Sequence, residues 1–171
     1  AAIDSIEYSY VSKSGGIEED EISSRQTKAE EALAPYLSKK NVAGVRANML
    51  YADIAFAKKD FTKALDCYLK AANASKKAYT YAECMYNAAV CAEELSKNDD
   101  AVAYYKAAAD DKDFYLASHA LFNAARVLEL SGNYSNAAEL YQKTVDSYSG
   151  YEWANLSIQF SHSVPCLCPT F

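Results

Sequence analysis

Three stretches decide the fold: KDFTKALDCYLKAA (59–72), SKNDDAVAYYKAAA (96–109) and SGNYSNAAELYQKTV (131–145). They align without gaps. Each carries a small residue, an aromatic four positions later and a small residue three after that: Ala64/Tyr68/Ala71, Ala101/Tyr105/Ala108 and Ala137/Tyr141/Thr144. The lead alanines stand 37 and 36 residues apart. Twelve residues before each stands another alanine, at Ala52, Ala89 and Ala125, and the strings YNAAVCAEEL (86–95) and FNAARVLEL (122–130) are near copies. Self-similarity at such a period marks a stacked array of one repeated unit.

Spacings of three and four place these side chains on one helix face. Each unit therefore reads as two helices joined by a short turn. The first helix of each pair, A, is expected at about 45–58, 80–95 and 115–130; the second, B, at about 61–73, 99–109 and 134–147. Alanine at a crossing lets two backbones approach closely, and tyrosine fills the hole against the next unit. Asp60, Asn98 and Asn133 are expected N-caps, and Gly132 is an expected helix end. Thr80 with Glu83, and Ser149 with Glu152, read as capping boxes. No stretch alternates apolar and polar residues in the way a sheet demands. The expected fold class is all-α: a right-handed α-solenoid of helix-hairpin repeats at about 45–78, 79–113 and 114–147, inside a repeat domain spanning 25–160 with partial helices at 25–40 and 151–160.

The flanks read differently. Residues 1–24 form an N-terminal segment in which IDSIEYSYV (3–11) is a short helix or strand, Gly15-Gly16 breaks it, and IEEDE (17–21) is a solvated acidic run. Pro35 is expected to end or kink the helix near Ala34. Residues 161–171, SHSVPCLCPTF, form an irregular tail, because Pro165 and Pro169 forbid a continued helix.

Composition narrows the function. The 171 residues are 51% hydrophobic and 23% charged, a globular balance, and the net charge of −6 argues against nucleic acid or an anionic membrane surface as main partner. No run approaches the roughly 18 apolar residues of a membrane helix. Five glycines build no phosphate-cradling loop, and no nucleotide, zinc-protease or hydrolase motif is present. Glu93-Glu94 and Asp99-Asp100 are adjacent and so do not face each other on a helix. His119 has no evident nucleophile to serve. Cys67, Cys84 and Cys91 read as alanine-sized core residues, with Cys166-Leu-Cys168 in the tail as a candidate reactive pair. The expectation is a chain without enzymatic activity, cofactor, metal or small-molecule substrate.

The recurring alanine and tyrosine positions resemble those of tetratricopeptide repeats, whose usual period is 34, over about residues 45–147. The extra residues fall between units, at NASKKAYTY (73–81) and DDKDFYLAS (110–118). Thr144 replaces the last small residue, and the proline that usually ends a unit is missing. A narrower resemblance is to bacterial membrane-tethered repeat proteins similar to the ancillary subunit of the SecYEG translocon. It rests on the layout of AAIDSIEY, an acidic linker and the repeats, and on SYSGYEWANL (147–156). That resemblance implies a preceding membrane anchor, with the repeats on the periplasmic side of the inner membrane and a role in envelope protein export or assembly. Three helix cysteines without a pairing scheme favour the alternative, a reducing cytoplasmic setting.

The repeat geometry implies a concave groove lined by the A helices. Its expected residues are Arg46, Met49, Asp53, Phe56 and Ala57, then Glu83, Tyr86, Val90, Glu93 and Glu94, then His119, Phe122, Arg126, Glu129 and Leu130. Five acids against two arginines, with Met49, Phe56, Tyr86 and Phe122 as apolar contacts, suit a protein or peptide segment with apolar anchors and some positive charge. Some tetratricopeptide domains hold acidic chain ends with a basic clamp. Here its positions correspond to Met49, Asp53, Asn87, His119 and Asn123, of which Asn87 alone matches, which argues against that partner class. The expected function is a scaffold or adaptor. The alternative is a structural homo-oligomer stacking through an uncapped C-terminal end.

Overall fold

The computed structural model describes residues 2–7, 19–74 and 79–163. The Gly15-Gly16 break, residues 8–11 of the string 3–11, and the tail from 164 with Pro165, Cys166, Cys168 and Pro169 lie outside the described residues. The elements are α1 (Ala2–Ile6), α2 (Glu19–Leu33), a 3-10 turn (Ala34–Tyr36), α3 (Val42–Ala57), α4 (Phe61–Ala74), α5 (Thr80–Glu94), α6 (Asn98–Ala109), α7 (Ala117–Leu130), α8 (Tyr134–Ser147) and α9 (Glu152–Ser163). No strand occurs among the described residues. The chain divides into two units, Ala1–Cys84 and Met85–Phe171, and the border falls inside α5.

The A helices are α3, α5 and α7; the B helices are α4, α6 and α8. The residues that define the repeat are the ones most fully buried. Ala52, Ala64, Ala89, Ala101, Ala125 and Ala137 are all 0% exposed, and Tyr68, Tyr105 and Tyr141 are buried beside them. Thr144 keeps its small-residue place because its hydroxyl donates to the Leu140 carbonyl at 2.8 Å, which removes the penalty of a buried donor.

The A–B turns share one backbone solution. Lys59 (φ 60°), Ser96 (φ 57°) and Gly132 (φ 77°) each stand five residues before a lead alanine in the left-handed region. In all three, the next residue's N–H reaches back to close the helix: Asp60 to the Ala55 carbonyl, Lys97 to Ala92 and Asn133 to Leu128, each within 2.8–2.9 Å. This is the paired helix-end motif that favours glycine, and only the third turn has one.

The caps differ from expectation in part. Asp60 caps α4, its carboxylate accepting from the Lys63 N–H at 3.1 Å. Asn133 occupies the N-cap of α8 without a side-chain bond. Asn98 is already helical, and its amide donates instead to the Ser131 hydroxyl at 3.0 Å. Ser149 stands before α9, whose first bonds go to the Tyr151 carbonyl.

In the first unit α1 and α2 pack on α3, and α3 packs on α4. The core there is Ile3, Ala29, Leu33, Ala47, Leu50 and Ile54. Pro35 ends α2 at Leu33, leaving one 3-10 turn. Among the described residues the helix runs from Glu19 rather than from near 25. In the second unit α6 and α8 flank α7, and α9 covers both α7 and α8. Among the described residues α9 runs to Ser163 rather than 160.

Candidate protein-binding faces

The first unit's share of the expected groove is the face of α3 carrying Arg46, Met49, Asp53 and Phe56, together with Glu83 of α5. Met49 and Phe56 are half-buried, with Phe56 edge-on to Phe61 at 5.3 Å. Arg46 is engaged. It pairs with Asp4 and, at 3.2 Å, with Glu7. Ile3, 5% exposed, anchors this N-terminal helix in the core, and Ile6 packs at its edge. A short helix of the chain itself thus sits on the α3 face.

Asp53 accepts a hydrogen bond from the Tyr68 hydroxyl at 2.5 Å. It keeps solvent access, yet its packed surroundings raise its carboxyl above the usual range; Tyr68 opposes the shift and Glu7 adds to it. Glu83 is raised as well, first by burial and then by Asp53. The face therefore holds two carboxylates whose charge is poorly compensated.

The second unit's share comprises Tyr86, Val90, Glu93 and Glu94 of α5 and His119, Phe122, Arg126 and Glu129 of α7. Its charges are largely matched within the unit. Arg126 donates to both Glu93 oxygens at 2.7 Å, and Tyr105 donates to the same carboxylate at 2.6 Å. Arg126 also donates to Asn123 at 3.1 Å. Glu129 accepts from Tyr141 at 2.8 Å. Burial, and then these acids, raise both phenols well above the usual range.

His119 stacks on Trp153 with 3.7 Å between ring centroids and 14° between planes. Its Nδ1 lies 3.0 Å from the Tyr86 hydroxyl, and Asn123 donates to that oxygen at 3.4 Å. Burial and Arg126 lower the His119 pKa, against Glu152. Phe122 is 6% exposed, packed against Tyr141, Trp153 and Phe160, so the expectation of an open apolar contact fails there. Val90 is half-buried, whereas Glu94 and Leu130 are open to solvent.

Two features escaped the sequence reading. One is the bond from each B-helix tyrosine to an acid on its A helix: Asp53, Glu93 and Glu129 hold the scaffold as well as line it. A repeated acid within reach of a repeated tyrosine was the available signal. The other is α1 on Arg46, signalled by the Ile3-x-x-Ile6 spacing with Asp4 and Glu7 between and beside.

For chemistry the structure offers little. No group of three His, Cys, Asp or Glu side chains is arranged to hold a metal among the described residues. Cys67, Cys84 and Cys91 are buried, and burial pushes the Cys84 thiol up to about 12, so it stays protonated at neutral pH. No helix among the described residues is long and apolar enough to cross a membrane.

The family model described as Tetratricopeptide repeat matches residues 25–79 and 86–152. A search of curated protein sequences gave no match. Among solved structures, the chain is similar to the nearly identical TPR-like repeats of a Podosopora anserina protein described as a kinesin light chain. That similarity has a TM-score of 0.63 and 13% identity, covering 83% of this chain and 78% of the other. It is also similar to the apo form of RapI, with a TM-score of 0.62 and 18% identity, covering 85% of this chain and 43% of RapI.

Proposed function

The chain belongs to the tetratricopeptide repeat family, and from that premise we propose that it is a protein-interaction scaffold whose A-helix faces hold a short segment of a partner protein. One observation carries this reading. The α3 face already seats a short segment, α1, through a buried isoleucine and two acids on Arg46. An apolar anchor with flanking charges is the pattern by which a helix lies on a groove. The partner segment presents apolar side chains beside Met49 and Phe56 and at least one cation. The raised carboxyls of Asp53 and Glu83 support the cation, because a positive group near them relieves the crowding. Glu94 in the second unit is exposed and adds one more acid there.

Charge reversal tests this. Glu83→Lys and Glu94→Lys avoid the Glu93–Arg126 network, so circular dichroism should stay unchanged while capture of the partner falls. An unchanged set of captured partners would defeat the proposal. Tethering on the periplasmic side of the inner membrane, in export or assembly, belongs to the same proposal and is supported by the layout of the sequence. An apolar run of about 20 residues encoded just upstream is its check.

The homo-oligomer reading has less to stand on. α9 places Trp153 and Phe160 over Phe122, and Phe160 over Tyr141. Among the described residues, the large apolar side chains of α9 that stay open are Ile158 at 43% and Phe160 at 37%. Light scattering of a concentrated sample decides it; a strict monomer removes it.

A further inference from the structure

The second unit holds a cavity of about 760 Å³ lined by Lys106, Lys112, Lys143, Leu121, Tyr148 and Tyr151 among others. The repeat register builds part of it. Lys143 stands six residues after a lead alanine and Lys112 stands 25 before one; in the first unit the same two positions are Lys70 and Lys39. Those two line a smaller cavity of about 370 Å³. There both have company: Lys70 pairs with Asp66 at 2.5 Å and Lys39 lies over the Tyr36 ring at 4.3 Å. In the second unit Glu139 takes the register position of Asp66. Lys143 nevertheless makes no ion pair among the described residues, and neither do Lys106 and Lys112. By contrast Arg25, Arg46, Lys58 and Arg126 each pair with an acid.

Charge thus collects at this cavity against the trend of the chain. Asp110 is the acid among the lining residues, so three lysines against one aspartate leave an excess of two positive charges, in a chain of net charge −6. Neighbouring acids are turned to other groups. The Asp111 carboxylate accepts from the Asp113 N–H at 3.0 Å, and the Asp146 carboxylate from the Gln142 amide at 2.8 Å. Lysines gathered without counter-charges repel one another, and an anion among them relieves that. A phosphate monoester carries close to two charges at neutral pH and so matches the excess, where a carboxylate carries one. Lysine binds phosphate as a point charge. A second observation is independent of charge. Tyr151 is 60% exposed on the cavity rim, edge-on to Tyr148 with 6.1 Å between ring centroids. An open ring beside a cavity offers a planar group a stacking surface.

We propose that the second unit's cavity binds a phosphate monoester borne on a planar ring: the phosphate sits among Lys106, Lys112 and Lys143, and the ring lies on Tyr151. Two sources share that chemistry, a nucleoside monophosphate and a phosphorylated tyrosine side chain. The cavity shares no residue with the faces proposed to hold a partner segment, so failure of one reading leaves the other standing. The first unit's cavity, whose two matching lysines are engaged, is the internal control.

Calorimetric titration of the full chain at low salt with adenosine monophosphate, with N-acetyl-phosphotyrosine amide, with adenosine and with inorganic phosphate tests it. At least one of the two esters should bind saturably, and adenosine should not. Inorganic phosphate should bind about three- to tenfold more weakly than that ester, the share expected of the ring contact. Lys106→Gln combined with Lys143→Gln should weaken the ester by about tenfold or more. Tyr151→Ala should weaken the ester and leave inorganic phosphate unchanged. Lys39→Gln combined with Lys70→Gln in the first unit should change neither. All these side chains lie at the surface, so melting temperatures should stay at the parent's. Tighter binding of the nucleotide identifies a free nucleotide as the source; tighter binding of the phosphotyrosine identifies a modified protein; equal binding supports the ring phosphate as the recognised group. Absence of saturable binding by either ester, binding unchanged in the Lys106 and Lys143 variant, or an equal loss in the first-unit variant overturns the proposal.

Discussion

The two ends of the molecule cover their repeats in different ways. At the C-terminal end α9 contributes Trp153, stacked on His119 and tilted against Phe122, and Phe160, in contact with Phe122 and Tyr141. Ala154 and Ser157 on the same helix are buried. At the N-terminal end α1 has five residues, one buried isoleucine, and acids paired with an arginine still 39% exposed. A five-residue helix has no stability of its own, and ion pairs in solvent add little. The difference teaches that α9 is part of the repeat core, whereas α1 is a short segment resting on the α3 face.

The largest effect is expected where α9 meets the core. Phe122→Ala should cost about 3–5 kcal/mol in denaturant unfolding, because a buried ring with three aromatic neighbours leaves a cavity. Ile3→Ala is the matched change at the other end. Its global cost should stay near 1 kcal/mol, because α1 leaves the face before the unit unfolds. A loss as large as that of Phe122→Ala would break the contrast.

Charge pairing sharpens it. Glu93→Ala leaves Arg126 and the Tyr105 hydroxyl without their half-buried acceptor and should cost about 2 kcal/mol. Arg46→Gln should cost far less in the same unfolding assay.

The turns give a smaller pair of opposite sign. Gly132→Ala should lose about 1 kcal/mol, purely from its positive φ, since a Cβ there meets nothing within 4 Å. Ser96→Gly should gain a few tenths of a kcal/mol by thermal unfolding, for the same reason reversed.

The smallest effect is on pH. The His119 pKa is lowered in the folded state, so its contribution is present above the ordinary value of 6.5 and is lost as pH falls below it. A stability profile between pH 7 and 5 should decline, and His119→Phe should flatten that decline. Glu83 runs the other way. Its raised carboxyl favours the fold while protonated, and that contribution is lost as pH rises, so Glu83→Gln should be slightly more stable at neutral pH.

The hairpins were legible because close packing leaves a periodic trace: alanine where backbones cross, tyrosine where a hole is filled. Helix ends at Lys59 and Ser96 left no such trace, since tertiary packing imposes a left-handed residue where the sequence offers no glycine. The candidate faces were legible as positions but not as partners. Spacing named Phe122 among the A-helix residues, yet said nothing of α9 lying over it. It counted Asp53, Glu93 and Glu129 as acids without showing that Tyr68, Tyr105 and Tyr141 bond them.

Hydrogen exchange read by mass spectrometry tests the contrast between the ends most directly. Amides of α1 should exchange orders of magnitude faster than those of Ala154–Ser157 in α9, while α3 and α4 remain protected. Equal protection of α1 and α9 would contradict the account.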